Sequence, residues 1–408
     1  MKDLKHLIYF ENLLQEANNE LVKQAKKDGK KILGYTCYSM PEVLLDIPGC
    51  VGVRLRAPNC TSPDMATYYM SGRTCLYGRS LLERALEGGY NFLDAQMATE
   101  TCTATTRMQE HLQMMNIIDN PDFFCDFTDV PFKKNQNSLE HYEKQLQAHV
   151  LDNIHEHFGI DISDDALMKA IEEHNEVCRL VTEIGNYRKL ENPTITGFEF
   201  HVIQLVTLCC PKYLILPKLR ETAKEMKTRK PDSKPNFRVK VCLTGPECDD
   251  PYFTQLVESC GALVVADRYC YGSLPGREEI VVANGDTPLR AIARHYLKTS
   301  QCARFMPQDI MRERKQYLVD TAKEYGADGI IVAQNKFCAY WSYERTIDTI
   351  VIPRDFGIPV CSIEKEYING ASGQLRTRFI TFSYLIKFTF FMRFQHLKYR
   401  NNISLYMI

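Results

Sequence analysis

Short apolar runs alternate along this chain with stretches whose apolar positions recur at helical spacing. The sharpest run is Gly329-Ile330-Ile331-Val332-Ala333, which follows Ala327-Asp328 and gives out shortly before Cys338. A helical pattern precedes it (Pro307 to Tyr325) and another follows (Trp341 to Phe356). Such a run between helices predicts a parallel strand buried on both faces. Open α/β sheets bind ligands beyond the carboxyl ends of their strands, which is where Cys338 falls. The first half of the chain does the same, since Asn91 to Ala98 predicts a strand that runs out at Cys102. Two strand-end cysteines, far apart in sequence, are thus candidates to face one another across a cleft.

The remaining pattern completes an α/β reading. Residues 3–29 read as a polar-rich helical arm, and Lys30 to Tyr35 as a strand leading into Cys37, with Pro41-Glu42 opening a helix. Tyr77 to Gly89 places Leu81, Leu82, Ala85 and Leu86 on one helical face, and Gly88-Gly89 ends it. A further helix is expected from about Thr103 to Met115. Between about Ser138 and Lys230 the pattern turns to long helices, with Leu167, Ile171, His174, Cys178 and Val181 in helical register. Lys224 to Lys234 then reads as a charged, solvated linker. Strands follow over 237–243 and over 262–267 toward Cys270, helices over 288–296 and 307–325, and a last strand over 358–363. The fold class expected is α/β, two Rossmann-like parallel-sheet domains with a helical insertion between them. The expected divisions are an arm (1–29), a first α/β domain (30–137), a helical segment and linker (138–236), a second α/β domain (237–382) and an atypical tail (383–408). A faint internal echo, Arg73-Thr74-Cys75-Leu76-Tyr77-Gly78 against Arg268-Tyr269-Cys270-Tyr271-Gly272, supports two related units.

Composition narrows the function classes. The 408 residues suffice for two full cores, and a net charge of −1 provides no global field for nucleic acid or an anionic membrane. Met1-Lys2-Asp3-Leu4-Lys5-His6 lacks the apolar core of a signal peptide, and no stretch reaches the roughly 18 apolar residues of a spanning helix. A cytoplasmic protein is expected. The sixteen cysteines are therefore read as thiols, some packed as small hydrophobes and some binding metal. There is no CxxC, P-loop, GxGxxG or HExxH, so any metal ligands must be gathered by the fold.

Cys75, Cys102 and Cys338 are the candidates, each at a strand end or helix start, where backbone N–H groups stabilise a thiolate. Spacing alone favours scattered core thiols over a three-cysteine site. Cys50, Cys178, Cys209, Cys210 and Cys361 read as packing, and Cys37, Cys248 and Cys270, at turns, as neighbours of a site or spare thiols.

Resemblance adds to this. Tyr38-Ser39-Met40-Pro41-Glu42-Val43-Leu44, with Gly49 and Val53-Arg54-Leu55, resembles the opening of the 2-hydroxyacyl-CoA dehydratase family, which includes benzoyl-CoA reductase subunits. The similarity continues through Cys75-Leu76-Tyr77-Gly78-Arg79, Leu93-Asp94 to Thr101-Cys102, Leu243-Thr244-Gly245 and Asp328-Gly329 to Phe337-Cys338 with Tyr343-Glu344. It closes at Gly373-Gln374-Leu375-Arg376-Thr377-Arg378 and covers roughly residues 30–382. The order and spacing of these motifs carry the resemblance, not any one of them.

The resemblance implies that Cys75, Cys102 and Cys338 hold a [4Fe-4S] cluster with one iron free of cysteine, which can act as a Lewis acid. It also implies the chemistry. One-electron reduction of a 2-hydroxyacyl-CoA thioester gives a ketyl radical that expels the 2-hydroxyl and acidifies C3, so water is eliminated with no net redox change. Glu42, matching the family's Pro-Glu, is the candidate base, with first-turn charge at a helix start as its plainer reading. Ser39 and Tyr38 are candidates to hydrogen-bond the thioester oxygen, and Arg54 and Arg56 to clamp CoA phosphates. The implied partners are acyl-CoA, a homologous second subunit and an ATP-dependent iron–sulfur activator. A net two-electron acyl-CoA reductase and a non-catalytic electron-transfer protein are the alternatives. The chain departs from the family after Arg378, where an aromatic and basic tail runs to Ile408 in place of a short helix. An abnormal read-through extension is the expectation there, with an amphipathic surface element and part of the subunit contact as the alternatives.

Overall fold

The structure is a computed structural model. It describes all residues except 1, 58, 235, 271–277, 368–371 and 405–408, with side chains as far as Phe388. The arm divides into α1 (Leu7–Leu13) and α2 (Glu20–Lys27). Asn19 causes the division: its side chain accepts the Leu21 and Val22 N–H groups and starts a new helix.

The first half comprises β1 (Lys31–Tyr35), α3 (Glu42–Leu45), β2 (Cys50–Arg54), α4 (Ala66–Tyr69), α5 (Leu76–Leu86), β3 (Ala95–Glu100), α6 (Thr103–Met114) and β4 (Phe124–Asp129). The helical stretch follows as α7 (Gln136–Leu146), a π-helical turn, α8 (Asp152–Phe158), α9 (Asp164–Asn186), α10 (Gly197–Cys209) and α11 (Lys212–Met226). The second half comprises β5 (Val239–Gly245), α12 (Pro251–Ser259), β6 (Ala262–Tyr269), α13 (Pro288–Thr299), α14 (Gln308–Glu324), β7 (Gly329–Asn335), α15 (Ala339–Val351), β8 (Val360–Lys365) and α16 (Ser372–Ser404).

Each half holds a four-stranded sheet, ordered β2-β1-β3-β4 and β6-β5-β7-β8, and every pairing is parallel. Helices flank both sheets, as an α/β fold of two Rossmann-like units requires. β7 is buried along its whole length, as its apolar run predicts. Two strands escape the pattern reading: β2, though fully buried, has Gly52 and Arg54 among its apolar positions, and β4 is an edge strand whose Asp126 and Thr128 interrupt its own.

One device starts the central pair of each sheet. Asp94, just before β3, accepts the Ile32 N–H of β1 at 2.8 Å and donates its own N–H to the Ile32 carbonyl. Asp328, just before β7, does the same to Lys240 of β5, accepting at 2.7 Å. The carboxylates satisfy strand-end donors that the ladder leaves open. This is the physical content of the Leu93-Asp94 and Asp328-Gly329 motifs.

The layers interlock across the halves. α7, α9 and α13 cover one face of the first sheet, so α13 packs there although it follows β6 in sequence. α5 and α6 cover the other face, where Cys338 and Trp341 of the second half join them. α10 is buried along its length and packs against both β2 and β6. The second sheet lies between α12 with α16 and α14. α16 runs unbroken through 382/383, and Ile386 is fully buried with Phe379 and Phe382 on the second sheet. At the start of the stretch expected to be an atypical tail, Ser383 and Ile386 are thus buried, while Tyr384 and Leu385 face outward. Among the described residues no helix is long and apolar enough to cross a membrane.

Candidate cofactor site in the cleft

Cys75, Cys102 and Cys338 are the N-cap residues of α5, α6 and α15, and all three line one cavity between the halves. Local backbone geometry aims them. After β7 the chain turns through Phe337, a non-glycine residue at φ 65°, and the Cys338 N–H donates to the Asn335 carbonyl at 2.9 Å. That left-handed conformation is costly for a side-chain-bearing residue and is held by its surroundings. α5 and α6 meet so closely at Gly78 that a Cβ there would stand 2.8 Å from the Ala104 carbonyl oxygen. The glycine of the Cys75-Leu76-Tyr77-Gly78 motif thus sets the separation of two cysteine-bearing helix starts.

The electrostatics suit an electropositive guest. Burial pushes the Cys75 thiol up to about 12 and Cys102 up to about 11, with the nearby Glu247 carboxyl adding to both. Cys338 is raised well above the usual thiol range by burial and by the neighbouring Cys75, Glu247 and Cys102. Opposing this, the backbone N–H groups of the helix starts draw each thiol down: those of Tyr77 and Gly78 at Cys75, of Thr105 and Ala104 at Cys102, and of Trp341 at Cys338. A bound metal deprotonates such thiols outright. Among the described residues no three His, Cys, Asp or Glu side chains are grouped to hold a single ion. Three thiols spread over three helix starts instead fit a polynuclear iron–sulfur group, which takes its cysteines on different irons.

The other candidates separate into lining and non-lining residues. Ser39 lines the cavity, its carbonyl accepting the Tyr142 hydroxyl at 2.5 Å. Arg54 also lines it, with Nε donating to the Thr36 carbonyl at 3.3 Å. Arg56 does not. Its Nε donates to the Asp249 carbonyl at 3.0 Å and Nη1 to the Leu14 carbonyl at 2.7 Å, so it ties the arm and the second half to the end of β2. Glu42 is buried behind the cavity, not in its wall. It accepts the Tyr296 hydroxyl at 2.6 Å and faces His174 Nδ1 at 3.5 Å. Burial alone would raise Glu42, but His174 and Lys212 outweigh it and hold the carboxyl well below its usual range. Burial would likewise lower His174, yet the Cys178 sulfur (3.3 Å from Nε2) and Glu42 push it up to about 10. Cys178, read as packing, is thus buried with a polar partner. Tyr296 in turn lies 4.8 Å from the ring of Tyr38, which does line the cavity.

Pattern reading passed over three features. Glu247, two residues beyond β5, puts a carboxyl into the cysteine cavity. Its signal was position: Cys37 stands two residues beyond the equivalent β1. Cys302 lines the same cavity with Cys37 and Cys270. Third, Arg314 and Glu344 form a buried two-pronged pair at 2.8 and 2.7 Å, and Arg314 Nη1 also donates to the Phe305 carbonyl at 2.9 Å. The pair locks α15, and so Cys338, to α14 and the loop bearing Cys302. Glu344 was visible only as a motif letter.

A pair of parallel α/β halves with three cysteine-capped helix starts converging on the cleft defines a cysteine-site α/β protein in which neither half completes the site. Residues 37–383 match the family described as "2-hydroxyglutaryl-CoA dehydratase, D-component", and the chain belongs to that family. It is 25% identical over 377 residues to the "(R)-phenyllactyl-CoA dehydratase beta subunit" of Clostridium sporogenes, covering 92% of this chain and 96% of that protein. It is 22% identical to the "(R)-2-hydroxyglutaryl-CoA dehydratase, subunit beta" of Acidaminococcus fermentans, covering 84% of this chain and 93% of that one. It is also 22% identical to a benzoyl-CoA reductase subunit of Thauera aromatica, covering 65% and 67%. The family is one of dehydratase subunits, consistent with a hydro-lyase, and two of these relatives are named as beta subunits, which implies a partner subunit.

Proposed function

We propose that this chain is a subunit of an oxygen-sensitive (R)-2-hydroxyacyl-CoA dehydratase, with Cys75, Cys102 and Cys338 holding a [4Fe-4S] cluster. The observation that carries the reading is the meeting of these three cysteines, two from one half and one from the other, at helix starts in one cavity. When bound, the cluster supplies a single electron and an iron that is not closed by a cysteine. The protein residues position and shield. Ser39 and Arg54 line the cavity, and they are proposed to hydrogen-bond the thioester oxygen and to add positive charge beside it. Tyr340 and Trp341 line the wall near Cys338 and help exclude water. Glu42 is assigned a positioning role behind the wall: it accepts the Tyr296 hydroxyl, whose ring packs on Tyr38, and does not itself reach the cavity. Arg56 is assigned the joining of the halves in preference to phosphate binding, because its donors go to carbonyls. A homologous second subunit and an ATP-dependent activator complete the proposed system in the cytoplasm.

The test is anaerobic iron and sulfide quantitation with EPR on wild type, Cys102→Ser and Cys338→Ser. About four irons per chain, lost in both variants, are expected; iron unaffected by either substitution sinks the assignment. With a partner subunit and activator supplied, a dehydratase gives 2-enoyl-CoA without consuming stoichiometric reductant. Stoichiometric consumption selects the reductase reading instead.

A further inference from the structure

Beside the three cysteines assigned to the cluster, the cavity wall carries a second set of thiols that the proposed chemistry leaves idle. Cys302, in the loop between α13 and α14, and Cys270, one residue beyond β6, both line it and are half-buried. Their sulfurs share a hydrogen bond. We propose that Cys302 and Cys270 form an oxidation site, in which Cys302 reacts with a hydroperoxide and Cys270 resolves the product to a disulfide across the cavity wall.

The surroundings divide the two roles. Cys302 is drawn below the usual thiol range by the hydrogen bond from Cys270 and, against burial, by the Arg304 N–H and guanidinium. Cys270 is pushed up by the same shared hydrogen bond and by burial, which marks it as the thiol that waits. Arg304 is held firmly beside them, since it donates to the Val130 carbonyl at 2.9 Å and stacks over Phe132 at 4.1 Å. The Cys302 carbonyl is held by Arg314 Nη1 at 3.3 Å. A lowered thiol in a cavity wall, poised beside a second one, is the arrangement of oxidation-sensing cysteines. In the first step the Cys302 thiolate attacks one peroxide oxygen, the O–O bond breaks, and a protonated leaving oxygen departs as water or alcohol, leaving a sulfenic acid. In the second, the Cys270 sulfur displaces that hydroxyl as water. Two thiols lose two electrons in total, and the hydroperoxide gains them. The cross-link joins the end of β6 to the loop that precedes α14, and a small thiol reverses it by exchange.

The full-length chain, prepared without air, is treated with hydrogen peroxide, blocked with N-ethylmaleimide and mapped by mass spectrometry, its iron content measured alongside. The expected product is a Cys270–Cys302 linked peptide pair, restored to thiols by dithiothreitol. In Cys270→Ser, the sulfenic acid should persist on Cys302 and be trapped by dimedone. Cys302 should also be alkylated at least about threefold faster than Cys361, a half-buried thiol that burial raises to about 11. Linkage of any other pair, no linkage, or a Cys302 no faster than Cys361 overturns the proposal. The readout is covalent and needs no cluster, so loss of the iron–sulfur reading would leave this result standing.

Discussion

Two residues past β1 stands Cys37, while two residues past β5 stands Glu247; Cys102 follows β3 and Cys338 follows β7. The halves share a strand order, an aspartate that opens the central pair, and a cysteine at the start of the helix after the third strand. They differ in what fills the equivalent places. The first half supplies two of the three converging N-cap cysteines and the second only one, adding a carboxyl where the first has a thiol. Their buried polar networks differ as well. The first sets one carboxylate, Glu42, against His174 and Tyr296, whereas the second encloses Arg314, Lys315, Glu344 and Asp348 together. The lesson is that duplicated topology creates equivalent positions at the cleft, and the residues placed there decide the chemistry.

That comparison can be broken most sharply at the cysteines. Cys338→Ser should abolish iron binding, while Cys37→Ser should leave it near the wild-type level. The Cys37 sulfur accepts the Thr101 hydroxyl at 3.3 Å and the Ser39 N–H at 3.4 Å, which commits it to the cavity wall. Equal loss in both variants would mean that the two strand-end positions are interchangeable. Next in size is Glu344→Gln, which leaves Arg314 buried without its paired carboxylate, while Lys315 keeps Asp348. Breaking a buried pair from one side typically costs about 3–5 kcal/mol, read by denaturant unfolding, and the second half should show it first by hydrogen exchange.

The first half's network should reveal itself through pH. His174 is held at about 10 in the fold against an ordinary 6.5, so its contribution is complete below about pH 6.5 and is lost as pH rises toward 10. Glu42, held low, contributes above the usual carboxylate range and loses its contribution only in acid. Unfolding free energies of wild type and His174→Gln should therefore differ most near pH 6 and converge toward pH 10. A constant gap would show that the imidazole acts through packing alone. The smallest effect expected is that of Gly78→Ala. Its added methyl must push α5 from the Ala104 carbonyl, at a cost of about 1–3 kcal/mol, and should reduce iron uptake more than that stability loss alone explains.

Legibility followed the physics of each element. β7 and the helices around it could be read because a doubly buried strand is continuously apolar and a helix repeats at its own period. β4, at a sheet edge, lost that signature to its polar positions. Cys75, Cys102 and Cys338 were legible as helix-start cysteines, but spacing alone could not separate them from thirteen others. Glu42 carried a motif position and Arg56 stood one residue past another, and neither position showed which way the side chain would turn.

The order of apolar runs and helical periods determined by itself that this chain forms two parallel α/β halves, because burial and backbone hydrogen bonding act locally along it. Motif order determined the family. Only the tertiary structure decided that Cys338 joins Cys75 and Cys102, that Glu247 and Cys302 enter the same cavity, and that Glu42 stays one layer behind. Those outcomes depend on contacts between residues hundreds of positions apart, whose free energies exist only once both sheets and the helices between them have packed.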